Sequence, residues 1–289
     1  MTENYIEFKK KREIGDILSD TFTFLRGNYK QLFTLLFKIA GVVFIILLAA
    51  VAYYSYTSSS LMNPETILND GLFHTGGMVL SSVIMLVAIV AFYAFQIGTV
   101  LYYIKSYIQN NGIVNEEDVR KGVNSQFMSI IGLTFLSGII AGVGTMFCIL
   151  PGIYLYVPMS ITFAIMVFAN RDISDSISSS FKLIKDEWWN SFLSLLVILL
   201  VVFAISAVFQ VPLIIYSALK GMSMSSEISF VNTEGTDWLF IILNILATIV
   251  KQLLYSVTLI GVAFIYFNLN ERKNFTGTLE QIDSLGKTE

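Results

Sequence analysis

The chain has 289 residues, of which 55% are hydrophobic and 13% charged, against about 25% charged in an average soluble chain, so a soluble globular domain is excluded. Its formal charge of −3 is too small to draw a nucleic acid. A single cysteine, Cys148, and a single histidine, His74, exclude an intrachain disulfide and the usual zinc or iron ligand sets, so no metal or other cofactor is implied.

In chain order, residues 1–11 form a polar tail expected to be mobile. Lys9, Lys10, Lys11 and Arg12 are not followed by the apolar core of a cleavable leader, so the first span serves as the uncleaved insertion signal. From Arg12 to Lys30 the apolar residues Ile14, Leu18, Phe22, Leu25 and Tyr29 recur at steps of three and four, which predicts a helix lying in the headgroup plane. Runs of about 20 apolar residues, enough to cross a bilayer core, then predict spans over residues 32–54, 78–104, 129–150, 152–169, 192–219 and 238–267. The third and fourth meet at a turn around Pro151. A weaker amphipathic segment, residues 115–126, carries Val119, Val123 and Phe127 on one face.

Between the fourth and fifth spans, Ile173, Ile177, Phe181, Ile184 and Trp188 again share a face. Ser174, Asp175, Ser178, Lys182, Lys185 and Asp186 fall on the other. These apolar positions align with those of the first helix at a constant offset of 159, and over residues 12–46 against 171–205 twelve of 35 positions are identical. A duplication is the better account. The reading is an all-α polytopic membrane protein of six transmembrane helices in three parallel hairpin units, residues 12–108, 109–169 and 170–271. Each unit is introduced by an interfacial amphipathic helix, and a polar tail, 272–289, follows.

Lys and Arg number fifteen in the N-terminal segment, the loops 105–126 and 170–191 and the tail, against Lys220 alone on the opposite side. The positive-inside rule therefore predicts both termini in the cytoplasm and the cytoplasmic (inner) membrane as the location. Tyr29, Trp188, Trp189 and Trp238 sit where aromatic rings anchor a chain to the interface. Lys38, seven residues into the first span, snorkels to the headgroups.

Within the spans one residue stands out. Lys251 lies about 20 Å along its helix from Trp238, near the bilayer centre, where a lysine costs about 2.5–3.5 kcal/mol. Asn244, Thr248, Lys251 and Tyr255 follow steps of four, three and four and share a face, which is expected to point into the bundle or a wet cavity. No Asp or Glu lies inside a span, and Gln96 offers only hydrogen bonds. The chemistry suits an anionic lipid headgroup; the bland alternative is a lysine that orders packing. Gly138 and Gly142 form a GxxxG, for which packing inside the chain is favoured over dimerisation. Pro158 and Pro212 should kink their helices. The serines Ser178, Ser179 and Ser180 have no base system beside them and are expected on the solvated side, so a nucleophile is not indicated.

The turn Leu150-Pro151-Gly152-Ile153-Tyr154, the run Ser179 to Leu183, Lys185 and the pair Trp188-Trp189 resemble the membrane domain that precedes the catalytic domain of some bacterial glycerophosphodiester phosphodiesterases, and related stand-alone six-span inner-membrane proteins. The motif-bearing part is about 40 residues, and Asn170, Arg171 and Asp172 stand where the family often has a glutamate and a glycine. The phosphodiesterase activity is not carried over, because it needs a barrel of about 250 residues. The resemblance implies a bacterial source, as does usage rich in Ile, Phe, Lys and Asn. The function read from the sequence is non-enzymatic: a lipid-contacting or scaffold module, with membrane phospholipids and a protein at the cytoplasmic face as partners. A transporter or lipid translocator using Lys251 is the alternative, and a membrane enzyme comes third.

Overall fold

A computed structural model describes residues 5–60, 64–147, 149–225 and 237–285. Every regular element among them is an α-helix: α1 (Ile14–Ser60), α2 (Pro64–Gln109), α3 (Glu116–Phe147), α4 (Ile149–Phe168), α5 (Ile173–Ile184), α6 (Trp188–Ser225), α7 (Trp238–Asn274) and α8 (Thr276–Leu285). Helices α1, α2, α3, α4, α6 and α7 are long and apolar enough to cross a membrane. The chain is an all-α, multi-pass membrane protein. At 47 residues α1 is about 70 Å long, more than twice the roughly 30 Å of a hydrocarbon core, so much of it lies outside that core.

The helix ends follow local chemistry. At the end of α2, Asn111 (φ 51°) and Gly112 (φ 97°) take the left-handed conformation, and the Gly112 amide reaches back to the Tyr107 carbonyl at 2.8 Å, a Schellman closure. Asn170 (φ 49°) ends α4 in the same way, with the Arg171 amide donating to Met166 O at 3.3 Å. Lys105 Nζ donates to Val167 O at 2.7 Å and Asn170 Oδ1 at 2.6 Å, placing a cation on the negative end of α4. The turn between α3 and α4 falls earlier than expected. Pro151 lies in the first turn of α4, where its missing N–H costs nothing.

The chain forms two compact units. The first is Met1–Ile39, Ala94–Val201 and Ser256–Glu289. Its core is aromatic: Phe8 stacks on Phe264 with centroids 4.3 Å apart, and Phe24 meets Phe8 and Tyr107 edge-on at 5.2 and 5.1 Å. The tail expected to be mobile is therefore packed from Tyr5 onward. Tyr5 stacks on Tyr107, Phe8 is buried, and Lys9 pairs with Glu280. Charge density around Phe8 hid a single buried anchor. Gly277 lies against the Lys9 carbonyl so closely that any Cβ would collide with backbone. Gly277→Ala is expected to loosen this segment and cost about 1–3 kcal/mol, read as a lower thermal midpoint in detergent.

The first amphipathic segment is not a separate helix, for α1 runs through it without a break. The second copy does break, at Lys185–Glu187, between α5 and α6. The buried face is also rotated from the expected one. Ile17 and Thr21 are buried on α1, and Ser176, Ser180 and Ile184 on α5. Buried positions nevertheless recur at the offset of 159: Ile17 and Ser176, Thr21 and Ser180, Leu32 and Ser191, Leu36 and Leu195.

The second unit is Ala40–Tyr93 and Val202–Tyr255. Phe44 packs on Phe92 (5.0 Å) and Tyr93 on Tyr255 (4.8 Å), and Thr57 and Ser81 share a hydrogen bond of 2.7 Å. Lys220 is buried and paired with Asp237 at 2.6 Å. Asp237 also accepts from Tyr216 Oη at 2.7 Å and from the Phe240 amide at 3.0 Å, so the same carboxylate caps α7.

Candidate functional site

Lys251 is exposed, and among the described residues it makes no ion pair. Asn244, Thr248 and Tyr255 on the same side of α7 are half-buried; Asn244 donates to Phe240 O at 3.0 Å, and Tyr255 packs on Tyr93. Leu239, Ile242 and Leu246 are exposed on the opposite side. The row was expected to point into the bundle or a wet cavity; at Lys251 it is open instead. Gln96 belongs to the first unit, where its Nε2 donates to Ser256 Oγ at 3.0 Å.

A second cluster of polar chemistry lies within the first unit, where the end of α4, the second half of α5 and the last turns of α7 border an open cavity of about 400 Å³. Arg171 follows the left-handed Asn170, which turns the chain from α4 into α5. Lys182 and Ser179 come from α5, and Asn270, Lys273 and Asn274 from α7. Ile165, Ala169 and Leu183 supply an apolar wall, with the buried Tyr266 stacked on Phe168 at 5.5 Å. Arg171 donates through Nη1 to Ser179 Oγ. Lys273 Nζ donates to Lys182 O and Asp186 Oδ2, each at 3.1 Å. Three cations and no carboxylate line the space. In the sequence the cations Arg171, Lys182 and Lys273 counted toward orientation and not toward a site; the proximity of Arg171 and Lys273 depends on a contact across about a hundred residues, which no periodicity reveals.

The remaining expected sites divide. Tyr29, Trp189 and Trp238, expected as interfacial anchors, are exposed. Trp188 turns inward: it stacks on Phe192 (5.1 Å) and Tyr154 (5.5 Å), and its Nε1 donates to Tyr154 O at 3.3 Å. Gly138 and Gly142 are exposed, and among the described residues a Cβ at either would meet nothing within 4 Å, where close internal packing was expected. Gly144, about 200° further round α3, packs closely instead: a Cβ there would lie 3.1 Å from Gly152 Cα. Ser180 is buried with its hydroxyl on Ile177 O at 2.8 Å, and not solvated. Ser178 is exposed. Lys38, expected among headgroups, is exposed but paired with Glu116 at 2.8 Å. Cys148 and the His74 side chain lie outside the described residues.

No family model, curated protein or solved structure matches this chain.

Proposed function

We propose that this multi-pass membrane protein is a non-enzymatic module of the cytoplasmic membrane that works by contacting lipid, with both termini in the cytoplasm. The observation that carries the reading is the polar row of α7. Its cation, Lys251, is open to the surroundings, while Leu239, Ile242 and Leu246 expose an apolar row on the other side. A charged ammonium on a spanning helix is stabilised by an anionic headgroup drawn to it, and an open row admits one laterally. Charge distribution supports the orientation. Every Lys and Arg except Lys220 and Lys251 belongs to the first unit, and Lys220 is neutralised by Asp237.

Native mass spectrometry from a lipid-retaining detergent tests it. Wild type should carry one more anionic phospholipid than Lys251→Met, and equal lipid counts in the two proteins would overturn the reading. The same polar row favours a second reading, a lipid translocator. For that, Lys251→Met would have to slow lipid scrambling in vesicles and not merely reduce retention. The relation to the membrane domain of the phosphodiesterases stays part of this proposal, resting on residues 150–189 alone.

A further inference from the structure

We propose that the cavity between α4, α5 and α7 is a binding site for a phosphomonoester group. The argument begins with charge. Arg171, Lys182 and Lys273 line the space, and Asp186, outside the lining, offsets one of them through Lys273. Two positive charges remain, which matches a phosphomonoester carrying about −1.5 to −2 at neutral pH better than a carboxylate or a phosphodiester. Donor geometry agrees. The Arg171 guanidinium has five N–H donors, and Ser179 engages one through Nη1. The others present the fork that holds two oxygens of one phosphate. Asn270 Nδ2 donates to Thr276 Oγ1 at 3.1 Å and Asn274 Nδ2 to Asn270 Oδ1 at 2.6 Å, which leaves each amide one N–H on the lining for a third oxygen.

Size and wall composition narrow the class further. A space of about 400 Å³ falls within the roughly 300–1,000 Å³ of small-molecule sites. Ile165, Ala169 and Leu183 on the lining suit a ligand with an apolar or glycerol portion beside its phosphate. The shared chemistry is therefore a phosphomonoester, from a lipid headgroup of the phosphatidic-acid type or from a soluble phosphate ester. The site goes beyond the reading around Lys251, which belongs to the other unit; only its lipid arm shares the premise that the protein contacts lipid.

The test uses the full chain in nanodiscs of zwitterionic phosphatidylcholine, titrated with glycerol 3-phosphate, and a parallel set containing phosphatidic acid or phosphatidylglycerol. Arg171→Gln and Lys182→Gln should each weaken binding of the phosphomonoester roughly tenfold or more. Arg171→Lys keeps the charge but loses the fork, and should fall between wild type and Arg171→Gln. Lys185→Gln, exposed on the same segment but outside the lining, serves as the charge control and leaves affinity unchanged. Retention of phosphatidic acid over phosphatidylglycerol, insensitive to added glycerol 3-phosphate, identifies the lipid source; displacement by glycerol 3-phosphate identifies the soluble one. Binding by neither source, or a loss in Lys185→Gln equal to that in Lys182→Gln, overturns the site. Lys251→Met lowers total anionic-lipid retention under the reading around Lys251, but should leave the glycerol 3-phosphate titration and the preference for phosphatidic acid over phosphatidylglycerol unchanged, so failure of that reading and failure of this site give different results.

Discussion

Replacing Arg12 by methionine is expected to destabilise the protein by upward of about 3 kcal/mol, at about 1–3 kcal/mol for each buried acceptor left without its donor. The Arg12 side chain is fully buried, and every part of it is engaged. Its Nε donates to Asp20 Oδ2 at 2.8 Å and its Nη1 to Phe8 O at 2.7 Å, and Nη2 reaches Glu7 O. The guanidinium also lies 4.7 Å from the Phe264 ring centroid. Burial pushes its pKa down from the usual value and the Asp20 hydrogen bond opposes that shift, so desolvation is the largest influence on a charge that the neighbours must stabilise. Methionine fills the volume but removes the guanidinium donor from the carbonyls of Glu7, Phe8 and Lys10 and leaves Asp20 only the longer contact to Lys10 Nζ at 3.5 Å. The segment from Tyr5 to Lys11 should then detach, and trypsin should cut after Lys9, Lys10 and Lys11 much faster than in wild type. Unchanged cleavage and an unchanged thermal midpoint would refute the structural role. Arg12→Lys should recover little, since one ammonium cannot span the oxygens that the fork reaches.

The second large effect is expected at the Lys220–Asp237 pair of the second unit. Both side chains are nearly buried, at 7% and 5% exposed, so Lys220→Met leaves a buried carboxylate uncompensated and should cost about 3–5 kcal/mol. The double variant Lys220→Met/Asp237→Asn should be closer to wild type than Lys220→Met alone, because the amide keeps an oxygen for the Phe240 amide without a charge to desolvate. Thermal unfolding of the three proteins in one detergent measures this, and a double variant as unstable as Lys220→Met would contradict it. The pH dependence has a definite sign. Burial pushes the Asp237 carboxyl up, but the hydrogen bonds from Lys220, Tyr216 and the Phe240 amide outweigh it and hold the group below the usual carboxylate range. A carboxyl whose folded pKa is depressed contributes stability above its unfolded pKa of about 3.9 and loses it as pH falls through the folded value. Lys220→Met should therefore flatten the acid limb of the stability curve and leave the neutral region flat.

Class and span count were legible because they depend on composition and on runs of apolar residues, which no tertiary contact alters. The spans nevertheless became longer helices than their apolar runs, since residues 14–31 and 116–128 continue into α1 and α3 as single helices. Hydrophobic periodicity also set the buried face of α5 about 60° off, including Ile184 but missing Ser176 and Ser180. It ranks side chains by polarity, whereas close packing selected the small serines Ser176 and Ser180, whose hydroxyls turn back toward the backbone. The signal was present in the duplication, where Ile17 and Thr21 occupy the same register. The cationic cavity was not legible, because Arg171 and Lys273 lie in separate segments and meet only through the packing of α7 beside α5. Phe8 was obscured by four flanking charges, although an aromatic residue in an otherwise polar stretch is itself a cue to look for an anchor.

One contact of the first unit joins residues far apart in the chain. The Arg12 amide donates to Asn268 Oδ1 at 2.8 Å, across 256 positions of chain. A ribosome adding roughly 5–20 residues per second needs tens of seconds to deliver that partner after Arg12 itself has been made. Throughout that interval Phe8 lacks the Phe264 ring against which it finally stacks. Biogenesis thus leaves an aromatic anchor without its partner ring until α7 has been made.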